Sequence, residues 1–234
     1  MENVVVLDIK FSFGEVQDVI HPVILQDDKN MVLVDCGYTG FLPNIEQAMK
    51  EVNLDCNQLT HVVITHQDHD HMGAAAKLKE KYPNVLIVAS KEESKYISGE
   101  IKSLRLEQAE EMQSNLPEDQ KAFGLAFCNI LRNVEPVSVD IVVQDGDTFD
   151  WCGGCTVIST NGHTPGHISL YLNKKKVLIT GDAGALENGE LVIANPQFTL
   201  DLEAAQESLN KILSLNAEEI ICYHGGILKP QLSK

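Results

Sequence analysis

The sequence predicts an α+β protein built as a four-layer αββα sandwich, in which two mixed β-sheets pack face to face with helices outside them. Two observations predict this architecture. Short β-branched runs alternate with segments of helical spacing in both halves of the chain, so each half can form a sheet covered by helices. A chain of 234 residues, 44% of them hydrophobic, can also bury a core of this size as a single domain over residues 1–234.

The first half of the chain contains short apolar runs bounded by turn residues. These runs predict strands over residues 4–13, 22–26, 31–34, 62–65 and 84–89, with a hairpin turn at residues 27–30. Apolar residues at helical spacing predict helices over residues 41–52 and 72–78. Strands and helices therefore alternate here, as a sheet with covering helices requires.

The second half repeats this order of strands followed by a helix. Two strands flank the turn at residues 152–155, whose Gly-Gly centre between two cysteines is typical of a hairpin. Further strands run through Leu170 and Leu178, and the apolar run at residues 219–223 predicts another. A helix over residues 202–215 follows from apolar positions that share one face, namely Leu202, Ala205, Leu209, Ile212 and Leu213.

Residues 66–71 are the most informative stretch, because they hold five potential metal ligands in six positions. They follow an apolar strand and precede a predicted helix, so they form a strand-to-helix loop. Alternate side chains of an extended segment share a face, so His66 and Asp68 point the same way, while Asp70 and His71 can reach a neighbouring point. The spacing predicts a loop that serves two metal ions.

Three further apolar runs end in a potential ligand beside glycine. They lead to His163 and His167, to Asp182, and to His224. Glycine lets the backbone turn tightly and approach a site closely. Ligands at the ends of several strands can converge at one edge of a sheet, where a rigid scaffold carries the chemistry on its loops. The four segments together predict one metal centre.

These motifs resemble those of the metallo-β-lactamase superfamily. Its signature is His-x-His-x-Asp-His, followed by Gly-His-Thr-Pro-Gly-His, a Gly-Asp segment and a late His. The resemblance covers nearly the whole chain and includes residues 33–37, which are similar to a Val-Asp-x-Gly element near the amino terminus. It implies two metal sites and a carboxylate that bridges them: His66, Asp68 and His163 for the first site, Asp70, His71 and His224 for the second, and Asp182 as the bridge.

Asp68 departs from the common motif, since the superfamily usually has a second His there. The chain therefore resembles a His-x-Asp-x-Asp-His branch of the superfamily, and it is also similar to the His-x-Glu-x-Asp-His motif of the flavodiiron proteins. A carboxylate in place of an imidazole adds negative charge to the first site and favours harder metals. We expect two divalent metal ions as cofactors, with zinc favoured and iron or manganese as the alternatives.

The resemblance implies hydrolysis through a bridging hydroxide. Paired ions lower the pKa of a bridging water from about 16 towards neutrality, and the hydroxide attacks a carbonyl or phosphorus centre. Asp70 is the expected catalytic residue, which orients the nucleophile or accepts its proton. We expect His69 to point away from the site and His167 to form a hydrogen bond near it. Asp35 is a candidate hydrogen-bond partner for a ligating imidazole.

Residues 91–133 are rich in helix and in charge, with a helix predicted to begin at Pro117. In superfamily relatives the corresponding region often caps the site, so we expect a helical cap insertion in which Phe123, Phe127 and Met112 line a substrate pocket. The alternative is that these side chains pack onto the sandwich or onto another subunit.

The substrate is expected to be a small ester, lactone, thioester or related molecule. A glutathione thioester is disfavoured because such hydrolases carry basic residues in a carboxy-terminal extension, whereas this sequence ends at Lys234. Lactonases that degrade acyl-homoserine signals have Tyr where Ala185 stands, and one class of β-lactamases has Cys where Asp182 stands. The alternatives to a hydrolase are a diiron oxidoreductase related to the flavodiiron metal domain and a metal-binding protein without catalysis.

Charge and composition restrict the partners. A formal charge of −16 disfavours nucleic acid and anionic membranes, both of which require a basic surface. No apolar stretch has the length of a membrane span, and the first residues lack the pattern of a signal peptide, so we expect a cytoplasmic protein. Its six cysteines have no disulfide-framework spacing. A small-molecule substrate is the expected partner, and homo-oligomerisation stays open.

Overall fold

The computed structural model describes residues 2–14 and 16–230. Within these residues two six-stranded sheets pack face to face with helices on their outer sides, which confirms the predicted four-layer α+β sandwich.

The elements are numbered in chain order. The strands are β1 (Asn3–Val6), β2 (Ile9–Phe13), β3 (Val16–Ile20), β4 (Val23–Gln26), β5 (Met31–Val34), β6 (His61–Val63), β7 (Leu86–Ser90), β8 (Ile141–Val143), β9 (Thr148–Phe149), β10 (Cys155–Ser159), β11 (Ile168–Leu172), β12 (Val177–Ile179), β13 (Ala185–Glu187), β14 (Glu190–Val192), β15 (Glu219–Cys222) and β16 (Gly226–Leu228). The helices are α1 (Leu42–Glu51), α2 (His69–Met72), α3 (Ala75–Lys81), α4 (Glu93–Ile97), α5 (Leu104–Asn115), α6 (Lys121–Arg132) and α7 (Leu202–Ser214).

Both large sheets are mixed. The first has the order β1-β4-β5-β6-β7-β8, antiparallel from β1 to β5 and parallel from β5 to β8. The second has the order β16-β15-β12-β11-β10-β9 and is antiparallel except where β12 pairs with β15. In both sheets the strands that end in ligand segments lie in the interior, so the loops that follow them start from rigid positions.

Alternation along the central strands divides the core into layers. Val32 and Val34 of β5 face the second sheet, whereas Leu33 between them faces the helices that cover the first sheet. In the second sheet Ile221 lies between the sheets, while Ile220 packs towards α7. Side chains of a strand alternate between its two faces, so a strand buried on both sides reads as a continuous apolar run. This is why the central strands were visible in the sequence.

Two predicted elements are each divided into two in the structure. The predicted strand over residues 4–13 is divided into β1, which joins the first sheet, and β2, which pairs with β3 in a separate hairpin. The predicted helix at residues 72–78 is divided into α2 and α3 at Gly73. A Cβ atom at Gly73 would lie 2.3 Å from the backbone nitrogen of Thr39, so the close approach of the loop at residues 38–39 requires glycine at this position.

Helices α4, α5 and α6 lie between β7 and β8 of the first sheet in the sequence. Helices α5 and α6 share a small core of their own, formed by Ala109, Cys128 and Leu131. The N–H groups of Gln120 and Lys121 donate to the carbonyl of Pro117, so Pro117 opens the turn from which α6 continues. None of the described helices is both long and apolar enough to cross a membrane. The six cysteines are buried and unbridged.

Candidate metal centre

The four predicted ligand segments lie together at one edge of the sandwich. The segment after β6 carries His66 and Asp68 on a loop and Asp70 and His71 in the adjoining α2, while His163, Asp182 and His224 follow β10, β12 and β15 respectively. Their ligand atoms form overlapping groups of three in which all atoms lie within 4.8 Å of one another. The structure therefore brings together all seven residues that the sequence suggested as ligands.

The first cluster consists of His66, Asp68 and His163. The Oδ2 atom of Asp68 lies 3.5 Å from Nε2 of His66 and 3.1 Å from Nε2 of His163. Two ligand atoms that are each about 2.0–2.1 Å from a tetrahedral ion lie about 3.3 Å apart, so these separations suit a shared ion. All three side chains are buried.

The second cluster consists of Asp70, His71 and His224. The Oδ2 atom of Asp70 lies 3.3 Å from Nε2 of His224 and 3.8 Å from Nε2 of His71. Asp182 lies between the two clusters, since its Oδ1 atom is 3.3 Å from Nε2 of His71 and its Oδ2 atom is 3.4 Å from Nε2 of His163. This position suits a carboxylate that bridges two ions.

Several of these buried polar atoms have no hydrogen-bond partner among the described residues. They are Nε2 of His66, His71 and His224 and Oδ1 of Asp182. Buried polar atoms are nearly always paired, because leaving one unpaired costs about 1–3 kcal/mol. Unpaired imidazole nitrogens and a carboxylate oxygen that converge on one volume are the donor set of a zinc or iron site, so the residues fit bound divalent ions.

Asp35 orients His71, which confirms the hydrogen-bond partner suggested by the sequence. Its Oδ2 atom lies 2.8 Å from Nδ1 of His71, and its two oxygens also accept from the backbone N–H and the hydroxyl of Thr65, each at 2.8 Å. A carboxylate can only accept, so the proton of a neutral His71 ring lies on Nδ1 and the lone pair on Nε2 faces the cluster.

His167 supports the site and lies outside the ligand clusters, as expected. Its Nδ1 atom lies 2.9 Å from the hydroxyl of Thr160, and its Nε2 atom accepts from the backbone N–H of Asp182 at 2.9 Å. Burial, followed by the nearby His66, holds the pKa of His167 well below its usual range, so the ring is a neutral acceptor. Gly181 has a φ of +54°, and a Cβ there would lie 2.7 Å from Nε2 of His167.

His69 corrects one prediction, because its side chain lines the cavity over the site instead of pointing away from it. It lies outside the three-residue ligand groups, and its ring contacts Tyr38 and Phe127 at centroid distances of 5.3 Å and 5.7 Å. The ring of Tyr223 lies 4.0 Å from that of His71, and the hydroxyl of Tyr223 donates to the carbonyl of Asp70 at 2.5 Å.

Arg105 at the start of α5 is a site residue that sequence reasoning missed. It is 3% exposed, and its Nη2 atom donates to Oδ2 of Asp68 at 2.6 Å and lies 3.3 Å from Nε2 of His163. Its Nε atom lies 3.1 Å from the same Asp68 oxygen. Arg105 is 37 residues from Asp68 in a charge-rich helix, so no local pattern distinguished it from the exposed charges around it.

Electrostatics hold the site carboxylates ionised. Burial by itself would raise the pKa of Asp68, but the Arg105 guanidinium, followed by the rings of His163 and His66 beside it, holds that pKa well below its usual range. Burial likewise disfavours protonation of His71, yet the carboxylates of Asp182, Asp35 and Asp70 outweigh it and raise the pKa of His71 well above its usual range. The cluster as a whole therefore attracts positive charge.

A cavity of about 390 Å³ opens over the two clusters. Aromatic side chains of Tyr38, Phe127 and Phe198 line it, together with the carboxylates of Asp18 and Glu187. Of the three side chains expected in the pocket, Phe127 alone is among its described lining residues. Phe123 is 79% exposed on the outer side of α6, and Met112 is 48% exposed on α5, because the two helices turn those faces to solvent.

Glu93 is a second supporting residue that the sequence did not reveal. It is fully buried, and its two oxygens accept from the backbone N–H of Gln67 at 2.9 Å and of Gly166 at 2.8 Å. One carboxylate thus joins the ligand loop of the first half to the loop that carries His163.

Comparison with known proteins agrees with this geometry. A model of the metallo-β-lactamase superfamily matches residues 18–224. The chain is 30% identical over 209 residues to hydroxyacylglutathione hydrolase GloC of Haemophilus influenzae, covering 85% of this chain and 81% of that protein. It is 28% identical over 209 residues to the probable metallo-hydrolase YflN of Bacillus subtilis, covering 84% and 75% of the two chains.

Among solved structures, the metallo-β-lactamase family protein TTHA1429 from Thermus thermophilus superimposes with a TM-score of 0.74 at 20% identity. The match covers 97% of this chain and 74% of that one, which supports the likeness of the fold. With its His-x-Asp-x-Asp-His loop and the three later ligand segments, this chain belongs to the metallo-β-lactamase superfamily.

Proposed function

We propose that this chain is a hydrolase that depends on two divalent metal ions and cleaves a small ester, lactone, thioester or related substrate. The observation that supports this most is the convergence of unpaired ligand atoms of His66, His71, Asp182 and His224 beneath one cavity. Relatives named as metallo-hydrolases add support at the level of the superfamily. Zinc is the favoured metal, with iron or manganese as alternatives.

When bound, the ions supply Lewis acidity and provide hydroxide at physiological pH. The chain must then position the attacking water and handle its proton, and Asp70 is the proposed catalytic residue for both tasks. Burial would raise the pKa of Asp70, but the charges of His71 and His69 outweigh it and lower the pKa. Asp70 is therefore ionised at neutral pH and can accept a hydrogen bond that orients the attacking water, whereas its lowered pKa makes it a weak base.

The charges that line the cavity favour a substrate that is neutral or positively charged. Asp18 and Glu187 line the cavity, and among its described lining residues Arg105 is the one arginine or lysine. The guanidinium of Arg105 is already bound to Asp68, so it offers little to an anionic group. Glutathione thioesters carry net negative charge. Similarity to a relative named hydroxyacylglutathione hydrolase therefore supports thioester chemistry more than a glutathionyl substrate.

The aromatic side chains suggest how a substrate is held. Tyr38, Phe127 and Phe198 line the cavity and leave the ligand clusters at its floor. Rings of this kind bury apolar groups without needing a fixed hydrogen-bond pattern. A small substrate with an apolar or aromatic portion and a polarised carbonyl suits this arrangement.

The test begins with elemental analysis of protein purified without oxygen and without added metal, which identifies the metal. A chelator should then abolish hydrolysis of an ester, lactone and thioester panel, and zinc, iron(II) or manganese(II), supplied separately, should restore it for the correct ion. A folded protein that binds no divalent ion under any of these conditions would contradict the proposal. Recovery of iron with oxygen or peroxide consumption and without hydrolysis would favour the diiron oxidoreductase.

A further inference from the structure

The two ligand clusters differ in how many of their atoms are free to bind an ion. Nε2 of His71 and His224 lack hydrogen-bond partners in the second cluster, as does the Oδ1 atom of Asp182 that faces it. In the first cluster Nε2 of His66 has none, whereas Oδ2 of Asp68 and Nε2 of His163 both contact Nη2 of Arg105. One nitrogen of a guanidinium thus reaches two of the three ligand atoms of the first cluster.

The contact with His163 engages the lone pair that a metal ion would need. Oγ1 of Thr199 lies 3.1 Å from the carbonyl oxygen of Ala194, to which its single hydrogen donates, and 3.3 Å from Nδ1 of His163. In the tautomer that binds an ion through Nε2, Nδ1 carries the proton and donates to Thr199. Nε2 then faces Nη2 of Arg105 at 3.3 Å and Oδ2 of Asp68 at 3.1 Å. An arginine that merely neutralised Asp68 would leave this nitrogen alone.

Arg105 is held in place on every side. Its Nη1 atom donates to the carbonyl oxygen of Phe198 at 2.5 Å and to the side chain of Gln108. Its guanidinium carbon lies 5.2 Å from the centre of the Phe198 ring. The backbone N–H of Leu104 donates to the side chain of Gln67 at 2.8 Å, which ties the start of α5 to the ligand loop. The guanidinium is a fixed part of the first cluster, since all its nitrogens have partners.

We propose that Arg105 makes the two metal sites unequal. The guanidinium competes with an ion for Asp68 and His163, so the second cluster binds its ion tightly and the first binds its ion weakly. This rests on the ligand set of the proposed function, but it concerns the order in which the sites fill. A guanidinium and a divalent cation that share one carboxylate oxygen repel each other in a buried site, where charges are poorly screened.

The test compares zinc binding by the wild-type chain with Arg105→Met and Arg105→Lys after chelator treatment and reloading. Titration against a chromophoric chelator should resolve two steps for the wild type, with affinities that differ by about a hundredfold or more. Arg105→Met should raise the affinity of the weak step by about tenfold or more, because the competing charge is gone. Arg105→Lys keeps the charge and should stay close to the wild type.

Arg132→Met is the matched control, since Arg132 lies on α6 of the same helical region and pairs with Glu110 at the surface. It removes the same charge and should leave both steps unchanged. His163→Ala and His224→Ala assign the steps: the first should remove the weak step and the second the tight one. Cobalt(II) spectra of the half-loaded protein should show one coordination environment and a second at higher metal.

The outcomes separate this inference from the proposed function. A wild-type chain that binds two zinc ions in steps of equal affinity would contradict the inference and leave the proposed function standing. Loss of the tight step in His163→Ala would also contradict it. Arg105→Met that leaves the weak step unchanged would contradict it as well. If Arg105→Met does not fold, the wild-type titration and the two histidine variants can still contradict the inference, since equal steps or a tight step that depends on His163 would remove the inequality that Arg105 is proposed to cause. A chain that binds no zinc at any concentration would contradict the proposed function itself.

Discussion

The two halves of the molecule contribute to the candidate metal centre in different ways. The first half places His66 and Asp68 on the loop after β6 and Asp70 and His71 in the adjoining α2, whereas the second half supplies one candidate ligand from each of three segments. The first-half loop is fixed mainly by Asp35 and Thr65. The loops of the second half are fixed by one another, since His167 accepts from the N–H of Asp182. A dense local motif in the first half and three separate strand ends in the second half therefore bring their candidate ligands to the same place.

From this difference we expect the first half to supply the catalytic residue and most of the ligands, and the second half to supply the remaining ligands. The motif loop holds the proposed catalytic residue Asp70 and takes part in both clusters. Each later segment adds one ligand to a site that the motif loop begins. Substitutions in the two halves should consequently affect catalysis and metal binding to different extents.

The largest expected effect belongs to Asp70→Asn in the first half. The amide keeps the shape of the side chain but cannot accept a proton, so hydrolysis of a responsive ester or lactone should fall by about 10²–10⁴ in kcat. Asp119→Asn is the matched control, since it makes the same change at an exposed turn before α6 and should leave kcat unchanged. Unchanged kcat in Asp70→Asn with metal retained would remove Asp70 from the mechanism.

Metal removal should have the next largest effect, which is a loss of thermal stability. It tests whether bound ions stabilise the contact between the two halves. Ions that bind the folded chain at about a thousand times their dissociation constant stabilise it by about 4 kcal/mol. For a chain of this length that corresponds to a loss of roughly 8–16 °C in Tm on chelation. Differential scanning calorimetry with and without chelator measures the shift, and equal Tm values would mean that the ligands are held together without ions.

Asp35→Asn should weaken the second cluster by orienting His71 wrongly. The amide N–H₂ group can donate to Nδ1 of His71, which places the ring proton on Nε2, where the ion should bind. Loss of such an orienting partner lowers metal affinity by about 10–100-fold. His167→Gln in the second half is the comparison, because a glutamine oxygen can still accept from Asp182 and the loss should be smaller. Zinc titrations of both variants measure the difference in affinity. A larger loss in His167→Gln would mean that the second half orients the ligands more strongly than the first.

Glu93→Gln tests the link between the halves. Its carboxylate accepts from backbone N–H groups of both loops, and an amide retains a single acceptor oxygen. One buried N–H is then left unpaired, which should lower the free energy of unfolding by about 1–3 kcal/mol. Urea denaturation of the metal-loaded protein measures this, with the exposed Glu100→Gln as control. Stability equal to that of the wild type would mean that the loops do not need this carboxylate.

The smallest expected effect is the pH dependence of stabilisation by metal. Burial opposes protonation of His71, but Asp182, Asp35 and Asp70 raise its pKa, so protonated His71 stabilises the metal-free fold. That contribution is complete below the pKa of the unfolded chain and is lost as pH rises through the raised pKa of the folded chain. Zinc binding must displace this proton, so the Tm gain from zinc should widen between about pH 6 and 8. A Tm gain from zinc that becomes smaller as pH rises over this range would contradict the role of His71 as a ligand.

Much of the fold could be predicted because the central strands are buried on both faces. Met31–Val34 and the other interior strands are continuous apolar runs that local reading detects. The strands that the prediction missed, such as β3 and the β13-β14 hairpin, bury few of their described side chains, among them Ile20 and Ala185. They form through pairing with a partner strand, so their own residues carry little signal.

The sequence by itself determined the fold class and indicated the candidate ligand residues, because a strand end followed by His or Asp and Gly is a local pattern with local geometric consequences. The tertiary structure alone decided what surrounds those ligands. Arg105 reaches Asp68 across 37 residues, and Glu93 reaches Gly166 across 73. A buried ion pair or a shared carboxylate depends on which surfaces the packed core brings together, and that information is spread over all the residues of the core rather than held in any one segment.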